Sequence, residues 1–316
     1  MGLVFSSNSR FDMENDQYDY IGALEYNFPD DNLDNGLCLS EVYLPEEIII
    51  HILSFVSVKD IWKLRLVCKK WYNLTKTHSL WSTIFRRLNK TPRPLPWYVS
   101  YKCLDNSCFD KNLLRNNCGK KKFSHWMILE DGGNRMKVED SPVGSDPIPN
   151  NIPDFEGAKS CFVTSFSSCS KMQRIELNGN LTKYIVKKFK PHIYVSEWYA
   201  GRFDCGGYYQ LKAVIYRTAK NKVIAQDDNL QEEYPIDIEN EIIIEEKKEI
   251  QFIANEATQW KKVEIVIKDY TEDIEGILFE HKAKDNQFWA GHYGPKMAGG
   301  VVKLLSDSIQ PVSNNL

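Results

Sequence analysis

Apolar residues between positions 44 and 88 are spaced as on the buried faces of short helices. The large side chains recur at intervals of three and four residues, which is the helical period. These positions are Ile49, Ile52, Leu53, Val56, Leu64, Val67, Cys68, Trp71, Leu74, Leu80, Trp81, Ile84 and Phe85. Pro45 suits the first turn of a helix, where its missing N–H costs nothing. Ser57 and Ser79 precede the later helices and are predicted to cap them.

A helical unit of this size cannot bury so many large apolar side chains on its own. Below about 70 residues, the apolar area that a chain buries seldom offsets its conformational entropy without a partner or a staple. The segment therefore predicts a small helical domain that a second protein covers in part.

From about residue 111 the pattern changes to short β-rich runs without long helices between them. The predicted strands include residues 193–195, 208–216, 241–245, 263–267 and 277–280. One helix is expected over residues 180–190, and turn residues at 285–286 and 291–294 enclose an aromatic loop. Many short strands of this kind predict an antiparallel β-sandwich. The fold class is therefore α+β multidomain, with a small helical unit followed by a jelly-roll-like sandwich.

Composition shifts suggest five segments. Residues 1–42 lack any period and are rich in Asp and Asn, which predicts a disordered acidic tail. The helical unit takes 43–90, and a linker over 91–110 contains three alternating prolines that are expected to keep it extended. The sandwich takes 111–306, and 307–316 form a second tail.

Composition and charge are those of a protein without a membrane span. Of 316 residues, 42% are hydrophobic and 26% charged, and every long apolar run is broken by charge. The eight cysteines come without a secretory signal, so they are expected to be reduced thiols in a cytoplasmic protein. Residues 1–43 hold nine acids and one base, and residues 59–90 hold nine bases and one acid. The basic block indicates either nucleic acid or an acidic protein partner.

The N-terminal sequence Met1-Gly2-Leu3-Val4-Phe5-Ser6 fits the myristoylation pattern, with Gly2 as the acceptor. A single myristoyl chain anchors weakly, and the neighbouring acids would be repelled by an anionic leaflet. Any membrane association is therefore expected to be peripheral and reversible. The alternative is an ordinary N-terminus.

Three motifs in the helical unit resemble an F-box. They are Leu44-Pro45-Glu46-Glu47 continuing to Ile52-Leu53-Ser54-Phe55, then Leu64-Arg65-Leu66-Val67-Cys68-Lys69-Lys70-Trp71, and then Leu80-Trp81. In that family the module binds an acidic Skp adaptor, which links it to the cullin and RING subunits of a ubiquitin ligase. The resemblance thus assigns the basic block to an acidic protein rather than to nucleic acid. By motif, the residues that face the adaptor or brace its site would be Leu44, Pro45, Ile52, Leu53 and Leu64, with core packing as the alternative for each.

A second resemblance covers the β-rich half. An ordered series of short motifs is similar to the F-box-associated (FBA) domain of the sugar-recognising F-box proteins. The motifs are Asn112-Leu113-Leu114-Arg115-Asn116, Cys118-Gly119, His125-Trp126, Gly132-Gly133-Asn134, Val138-Glu139, Thr164-Ser165-Phe166, Trp198-Tyr199, Gly201-Arg202, Asp204, Phe288-Trp289-Ala290-Gly291 and Tyr293-Gly294. Together with the F-box, the two resemblances span about residues 44–303 and imply a sandwich of about ten strands.

Some members of that family bind the inner core of N-linked glycans. By motif, Phe288 and Trp289 match the aromatic pair that stacks on sugar rings, Phe166 a supporting aromatic, and Asp204 an acceptor for a hydroxyl. The apolar face of a pyranose lies flat on an aromatic ring, while its hydroxyls need polar partners. This sequence departs from the pattern at Phe288, where tyrosine is usual, at Ala290, where one relative has lysine, and at Met297-Ala298-Gly299-Gly300, which replaces a polar stretch.

The resemblance implies a non-catalytic substrate-recognition subunit of an SCF (Skp–cullin–F-box) ubiquitin ligase. Its substrates would be misfolded glycoproteins with high-mannose N-glycans, marked for degradation after they reach the cytosol. Two alternatives remain open: the same adaptor could recognise a protein surface, or the chain could be a myristoylated membrane scaffold.

Other chemistry is disfavoured. Cys103, Cys108, Cys118 and His125 lack the paired CxxC spacing that is typical of zinc sites. No phosphate-binding, dinucleotide-binding or hydrolase motif is present, so we expect no metal, no cofactor and no enzyme activity. Nucleic-acid binding is disfavoured because the aromatic and basic residues of the basic block alternate at core spacing.

Overall fold

The computed structural model describes residues 36–39, 42–217, 242–270 and 274–310. The chain divides into two compact units, a helical unit that ends at Trp97 and a β unit that begins at Tyr98. In the described residues no helix is both long and apolar enough to cross a membrane. Gly2 and the predicted acidic tail up to residue 35 lie outside the described residues.

The helical unit consists of a two-stranded hairpin and short helices. Its elements are β1 (Cys38–Leu39), β2 (Val42–Tyr43), α1 (Glu46–Ser54), a 3-10 turn (Val58–Asp60), α2 (Ile61–Leu64), α3 (Lys69–Leu74) and α4 (His78–Arg87). Helix α1 begins directly after Pro45, as predicted. The apolar positions from Leu64 to Leu74 are divided between α2 and α3, and Cys68 between them is extended.

The predicted helix caps were wrong. Thr77, not Ser79, caps α4, and its hydroxyl accepts a hydrogen bond from the Leu80 N–H at 3.4 Å. Ser57 precedes the 3-10 turn without a side-chain hydrogen bond to it. Serine and threonine are both good caps, so local sequence did not distinguish the two candidates before α4.

The predicted disordered tail extended too far. The indole N–H of Trp71 donates to the Gly36 carbonyl at 2.7 Å, and Leu37 is buried. The hairpin β1–β2 follows at once. The residues from Gly36 to Leu39 therefore belong to the folded unit rather than to the predicted tail, because Trp71 of helix α3 holds this segment.

The predicted extended linker was also wrong in its second half. Helix α5 (Trp97–Leu104) follows the prolines, and its residues Tyr98, Val99 and Cys103 are buried. Prolines restrict only themselves and the preceding residue, so they do not prevent a helix that starts just after them. At the other end, the predicted tail from 307 contains a 3-10 turn (Ser306–Ser308), and Ile309 is buried.

The β unit is a pair of five-stranded antiparallel sheets. The first sheet has the order β10-β7-β12-β5-β4 and the second β3-β6-β11-β8-β9. Their bounds are β3 Met127–Asp131, β4 Lys137–Glu139, β5 Cys161–Val163, β6 Cys169–Glu176, β7 Ile193–Ala200, β8 Gly207–Tyr216, β9 Ile242–Phe252, β10 Lys261–Ile267, β11 Gly276–Asp285 and β12 Lys296–Leu304. A 3-10 turn (Pro153–Phe155) and helix α6 (Asn180–Phe189) complete the unit. The predicted sandwich and its helix are confirmed.

Aromatic side chains join the two sheets face to face. Tyr199 of β7 stacks on Tyr209 of β8, with ring centroids 5.0 Å apart and planes inclined by 11°. Phe162 of β5 and Phe279 of β11 both lie edge-on to Trp126, at 5.6 and 5.7 Å. This burial of one face from each sheet provides the main stabilisation of the unit.

The same core contains charged and polar side chains that no sequence period predicted. His281 Nδ1 lies 2.8 Å from Glu197 Oε2, and the Tyr209 hydroxyl donates to that oxygen, also at 2.8 Å. The Lys171 ammonium lies 2.8 Å from the centroid of the Trp126 ring. Burial lowers the pKa of Lys171 well below its ordinary value and also lowers the pKa of His281.

We expect the Lys171→Met variant to be more stable than the parent chain at neutral pH. Folding must either bury the charged form of Lys171 or remove its proton, and methionine avoids both costs. Exchanging buried ion pairs for hydrophobic residues has stabilised proteins by about 1–4 kcal/mol, which sets the scale expected here. In the parent chain, Lys171 is protonated when unfolded, up to its ordinary pKa of 10.5, but resists protonation when folded. The contribution of Lys171 to the free energy of unfolding should therefore rise with pH below that value, by at most about 1.4 kcal/mol per pH unit.

Urea unfolding of the parent and variant chains between about pH 7 and pH 9.5 measures this as a difference in slope, because the buried thiols, which also titrate there on unfolding, are the same in both chains. The Lys171→Met variant should show a flatter pH dependence than the parent chain. Lys248→Met, at an exposed position of β9, is the matched control and should keep the parental slope. An unchanged slope in Lys171→Met would show that Lys171 keeps its proton in the folded state.

Candidate functional site

Four loops meet at one rim of the sandwich. Residues 286–295 connect β11 to β12, 201–206 connect β7 to β8, 164–168 connect β5 to β6, and 132–136 connect β3 to β4. Backbone hydrogen bonds join the loops directly: Asp285 N–H donates to Ser165 O, and Asn286 N–H donates to Gly206 O. This rim is called the aromatic rim below.

Asp285, the last residue of β11, organises the first half of the loop 286–295. Its side chain is fully buried, and Oδ1 accepts hydrogen bonds from Gln287 N–H at 2.9 Å and Phe288 N–H at 2.7 Å. Phe288 has a φ of 56°, a left-handed conformation that is unfavourable for a bulky side chain. Charge-assisted hydrogen bonds of this kind can hold such a backbone in place.

Two polar side chains on neighbouring loops hold the other end. Asn134 Oδ1 accepts from Gly291 N–H at 2.7 Å, and Ser165 Oγ donates to Gly291 O at 2.7 Å. Ser165 Oγ also accepts from Asn134 N–H at 2.9 Å, which links the two supports. Gly291 has a φ of 126°, so a side chain there would be strained. The loop is thus fixed at both ends.

The aromatic pair is displayed on this fixed loop. Phe288 is 71% exposed and Trp289 is 45% exposed. The Trp289 ring stands edge-on to Tyr293, with centroids 5.5 Å apart. The Arg202 guanidinium lies over the Tyr293 ring at 4.6 Å and forms an ion pair with Asp204 at 2.7 Å. Trp289 is therefore oriented by Tyr293 and, through it, by Arg202.

The other two residues predicted to bind sugar, Phe166 and Asp204, lie on the adjoining loops. Phe166 is half-buried, and its ring is so close to Gly133 that a Cβ added there would lie 3.1 Å from it. Asp204 is half-buried and already bound to Arg202, yet its carboxylate oxygens can accept further hydrogen bonds. All four predicted residues thus lie on loops of the aromatic rim.

Sequence reasoning missed the residues that support the aromatic pair. The sequence pattern marks Asp285 only as a turn residue, and Asn134 and Ser165 only as parts of motifs. Conversely, residues 297–300, noted as a departure from the sugar-binding pattern, are buried in β12 rather than displayed on the rim. The polarity of residues 297–300 therefore affects the packing of the core rather than contact with a ligand.

The helical unit has an exposed apolar surface of its own. Leu66 is 67% exposed and Phe55 is 61% exposed, both far more than is usual for large apolar residues. Val42 and Tyr43 of the hairpin are exposed as well, and the exposed apolar positions after Pro45, called the apolar helical surface below, are Ile48, Ile52, Phe55, Leu66, Val67 and Leu88. Only Ile52 was among the predicted contact residues.

The other predicted contact residues occupy different environments. Pro45 is exposed, and Leu44 and Leu64 are half-buried. Leu53 is buried in the core, where it can brace the surface but cannot touch a partner. The core-packing alternative therefore applies to Leu53.

The cysteine and histidine residues considered for metal form no such site in the described part of the chain. No group of three or more His, Cys, Asp or Glu side chains there is arranged to hold a metal ion. Burial raises the pKa of Cys118 to about 12, so its sulfur stays a protonated thiol at neutral pH.

Comparison with known proteins relates both units to described families. An F-box-like family matches residues 42–87, and the F-box associated region matches residues 104–242 and 236–304. The chain is 32% identical to F-box only protein 6 of Bos taurus, over 83% of this chain and 91% of that protein. It is 27% identical to F-box only protein 44 of Homo sapiens, over 83% of this chain and 95% of that protein. It is 27% identical to F-box only protein 2 of Bos taurus, over 82% of each chain.

Proposed function

Because this chain belongs to the F-box proteins that carry an F-box-associated region, a family of substrate-recognition subunits of SCF ubiquitin ligases, we propose that its β unit binds the core of N-linked glycans. F-box proteins bind a Skp adaptor within these complexes and are generally non-catalytic. The helical unit is the part of the chain that performs this docking. The proposal concerns what the β unit recognises.

The observation that carries the proposal is the exposed aromatic pair on a loop fixed at both ends. Large aromatic side chains are costly to leave in water, so an exposed pair on a loop held by hydrogen bonds favours a binding role. The loop is held by Asp285 at one end and by Asn134 and Ser165 at the other. Little conformational entropy is then lost on binding, which favours affinity from a small contact area.

The polar groups around the pair suit a sugar. The C–H face of a pyranose would lie on the Trp289 indole, and its hydroxyls would meet acceptors and donors at the edge of the rim. Asp204 can accept from a hydroxyl while it stays bound to Arg202. Phe288 contributes apolar area but no hydroxyl, so stacking provides most of the expected binding energy.

Binding of this kind would place a glycoprotein next to the ubiquitin ligase without any chemical step on the chain itself. The inner residues of an N-glycan are most accessible when the attached protein is unfolded. High-mannose glycoproteins that have misfolded and reached the cytosol are therefore the proposed substrates. Lysines of the captured protein would then be presented to the ubiquitin-charged enzyme.

Capture of a denatured high-mannose glycoprotein by the full chain tests the proposal. The parent chain should retain the glycoprotein and release it when chitobiose is added. Trp289→Ala should lose about tenfold or more in affinity for chitobiose by calorimetry, because a stacked aromatic contributes up to about 1.5 kcal/mol beyond its buried area. Phe55→Ala, at an exposed aromatic in the helical unit, is the matched control and should bind normally.

Two results would decide against glycan recognition. Capture of the same glycoprotein after enzymatic removal of its glycans would point to a protein surface as the substrate. Capture by Trp289→Ala at the parental level would remove the aromatic rim from consideration. In either case the assignment of the helical unit to a ligase adaptor would remain.

A further inference from the structure

A second charged site lies at the other end of strand β6. The aromatic rim adjoins the start of β6, whereas an open cleft of about 590 Å³ is lined by residues from Gln173 to Leu177 near its end. The bases Lys102, Lys111, Arg115 and Arg174 line this cleft, with Glu176 as its one acid. None of these residues belongs to the aromatic rim.

A second open cleft of about 380 Å³ continues the first, because Arg115 and His125 line both. It adds Lys120 and Lys121 as bases and Glu156 as an acid. The two clefts together carry six bases and two acids. They are called the basic cleft below, and their joint charge favours an anionic ligand.

Several of these charges are not neutralised by any residue that the structure describes. Lys102 is bound to Asp105 at 2.8 Å, and Arg174 lies 3.7 Å from Glu176. Lys111, Arg115 and Lys121, in contrast, form no ion pair with any carboxylate in residues 36–39, 42–217, 242–270 and 274–310. Repulsion among adjacent unpaired cations is unfavourable unless a ligand neutralises them.

The walls of the basic cleft are rigid. The buried Gln173 side chain accepts from Arg115 N–H at 2.7 Å and donates to Arg115 O at 2.9 Å. Arg174 Nε donates to the Tyr216 hydroxyl at 2.8 Å, and its guanidinium lies 4.4 Å from that ring centroid. The backbone of Arg115 and the guanidinium of Arg174 are therefore positioned before any ligand arrives.

The loop that carries the lysines is braced in the same way. The Asn116 side chain donates to Lys122 O at 2.8 Å and Ser124 O at 3.0 Å, and it accepts from Lys121 N–H at 3.0 Å. Asn116, Lys122 and His125 all have left-handed backbone, with φ of 53°, 53° and 72°. Each such residue costs about 1–3 kcal/mol and persists only where the surroundings hold it.

We propose that the basic cleft binds an acidic polypeptide segment of a partner protein in an extended conformation. An extended chain spans two joined clefts, and its carboxylates form charge-assisted hydrogen bonds with arginine and lysine. Single-stranded nucleic acid is the less suitable polyanion, since it is usually held by exposed aromatic side chains. The aromatic side chain that lines the cleft, Phe155, is buried. This site does not depend on glycan recognition.

Fluorescence anisotropy of a labelled ten-glutamate peptide with the full chain tests the inference. The triple variant Lys111→Glu, Arg115→Glu and Lys121→Glu should weaken binding by about tenfold or more, because all three changes reverse unpaired charges in the cleft. A matched triple variant, Lys188→Glu, Lys248→Glu and Lys268→Glu, reverses the same number of exposed charges elsewhere. It should bind within about twofold of the parent chain if the cleft is specific.

Thermal melting of both variants establishes that they fold, and all six changed positions are exposed. Equal losses in the two triple variants would show a response to net charge alone and would overturn the proposal. Binding of the peptide by the cleft variant with the affinity of the parent chain would also overturn the proposal. A uridine decamer that displaces the peptide at equal concentration would assign the cleft to nucleic acid instead.

Discussion

Replacing Asp285 with alanine is expected to abolish glycan capture although this side chain is fully buried and presents no atom to a ligand. Its Oδ1 is the shared acceptor for the N–H groups of Gln287 and Phe288. Each hydrogen bond to a charged group contributes about 1.5–3 kcal/mol. Without them, nothing compensates the left-handed backbone of Phe288, and the aromatic pair should lose its fixed position.

The expected loss of chitobiose affinity is at least about thirtyfold, which corresponds to roughly 2 kcal/mol. Calorimetric titration of the full chain measures it directly. Asp285→Asn is the informative control, because an asparagine keeps the Oδ1 acceptor that both N–H groups use. It should retain most of the affinity, and the contrast between the two variants isolates the hydrogen bonds from the volume of the side chain.

A buried carboxylate can also matter for folding, so stability must be measured beside affinity. The melting temperature of Asp285→Ala should fall by roughly 6–24 °C, because the two lost hydrogen bonds total about 3–6 kcal/mol and each kcal/mol shifts the melting temperature of a unit of this size by about 2–4 °C. Parental affinity in a folded Asp285→Ala variant would contradict the role assigned to this residue. Equal loss in the alanine and asparagine variants would assign the effect to charge or packing rather than to the two hydrogen bonds.

The second large effect is expected at the apolar helical surface. Leu66→Glu should abolish binding of the Skp adaptor, by at least about a hundredfold. A carboxylate placed in a desolvated apolar interface finds no partner and costs several kcal/mol. Leu66 is 67% exposed in the chain alone, so the change should leave the helical unit folded.

Co-purification of the full chain with the adaptor, followed by calorimetry, measures this effect. Val143→Glu is the matched control, because Val143 is an exposed apolar residue of the β unit. It should leave adaptor binding unchanged. Leu53→Ala is a poor probe of contact, since it would empty part of the core and destabilise the unit by about 2–5 kcal/mol. Full adaptor binding by Leu66→Glu would move the docking surface elsewhere on the unit.

The sequence by itself determined the classes of the elements and the order of the units. The apolar positions of α1 and α4 and the β-rich run of β10 carry their periods locally, within a few neighbouring residues. The aromatic pair was also visible, because Phe288 and Trp289 stand between turn residues and belong to a short motif. These features depend on composition and spacing alone.

Only the tertiary structure decided which residues support the site and which surfaces are exposed. Asn134 holds Gly291 across 157 positions of the chain, a separation over which no local pattern extends. Helical spacing alone predicted that Leu53 and Ile52 share an apolar face, yet packing against α4 buries Leu53 and leaves Ile52 in water. The basic cleft likewise combines α5, β6 and the loop around Asn116, and its charge exists only where the fold brings these segments together. Local pattern selects an element, whereas burial and contact depend on partners that are distant in the chain.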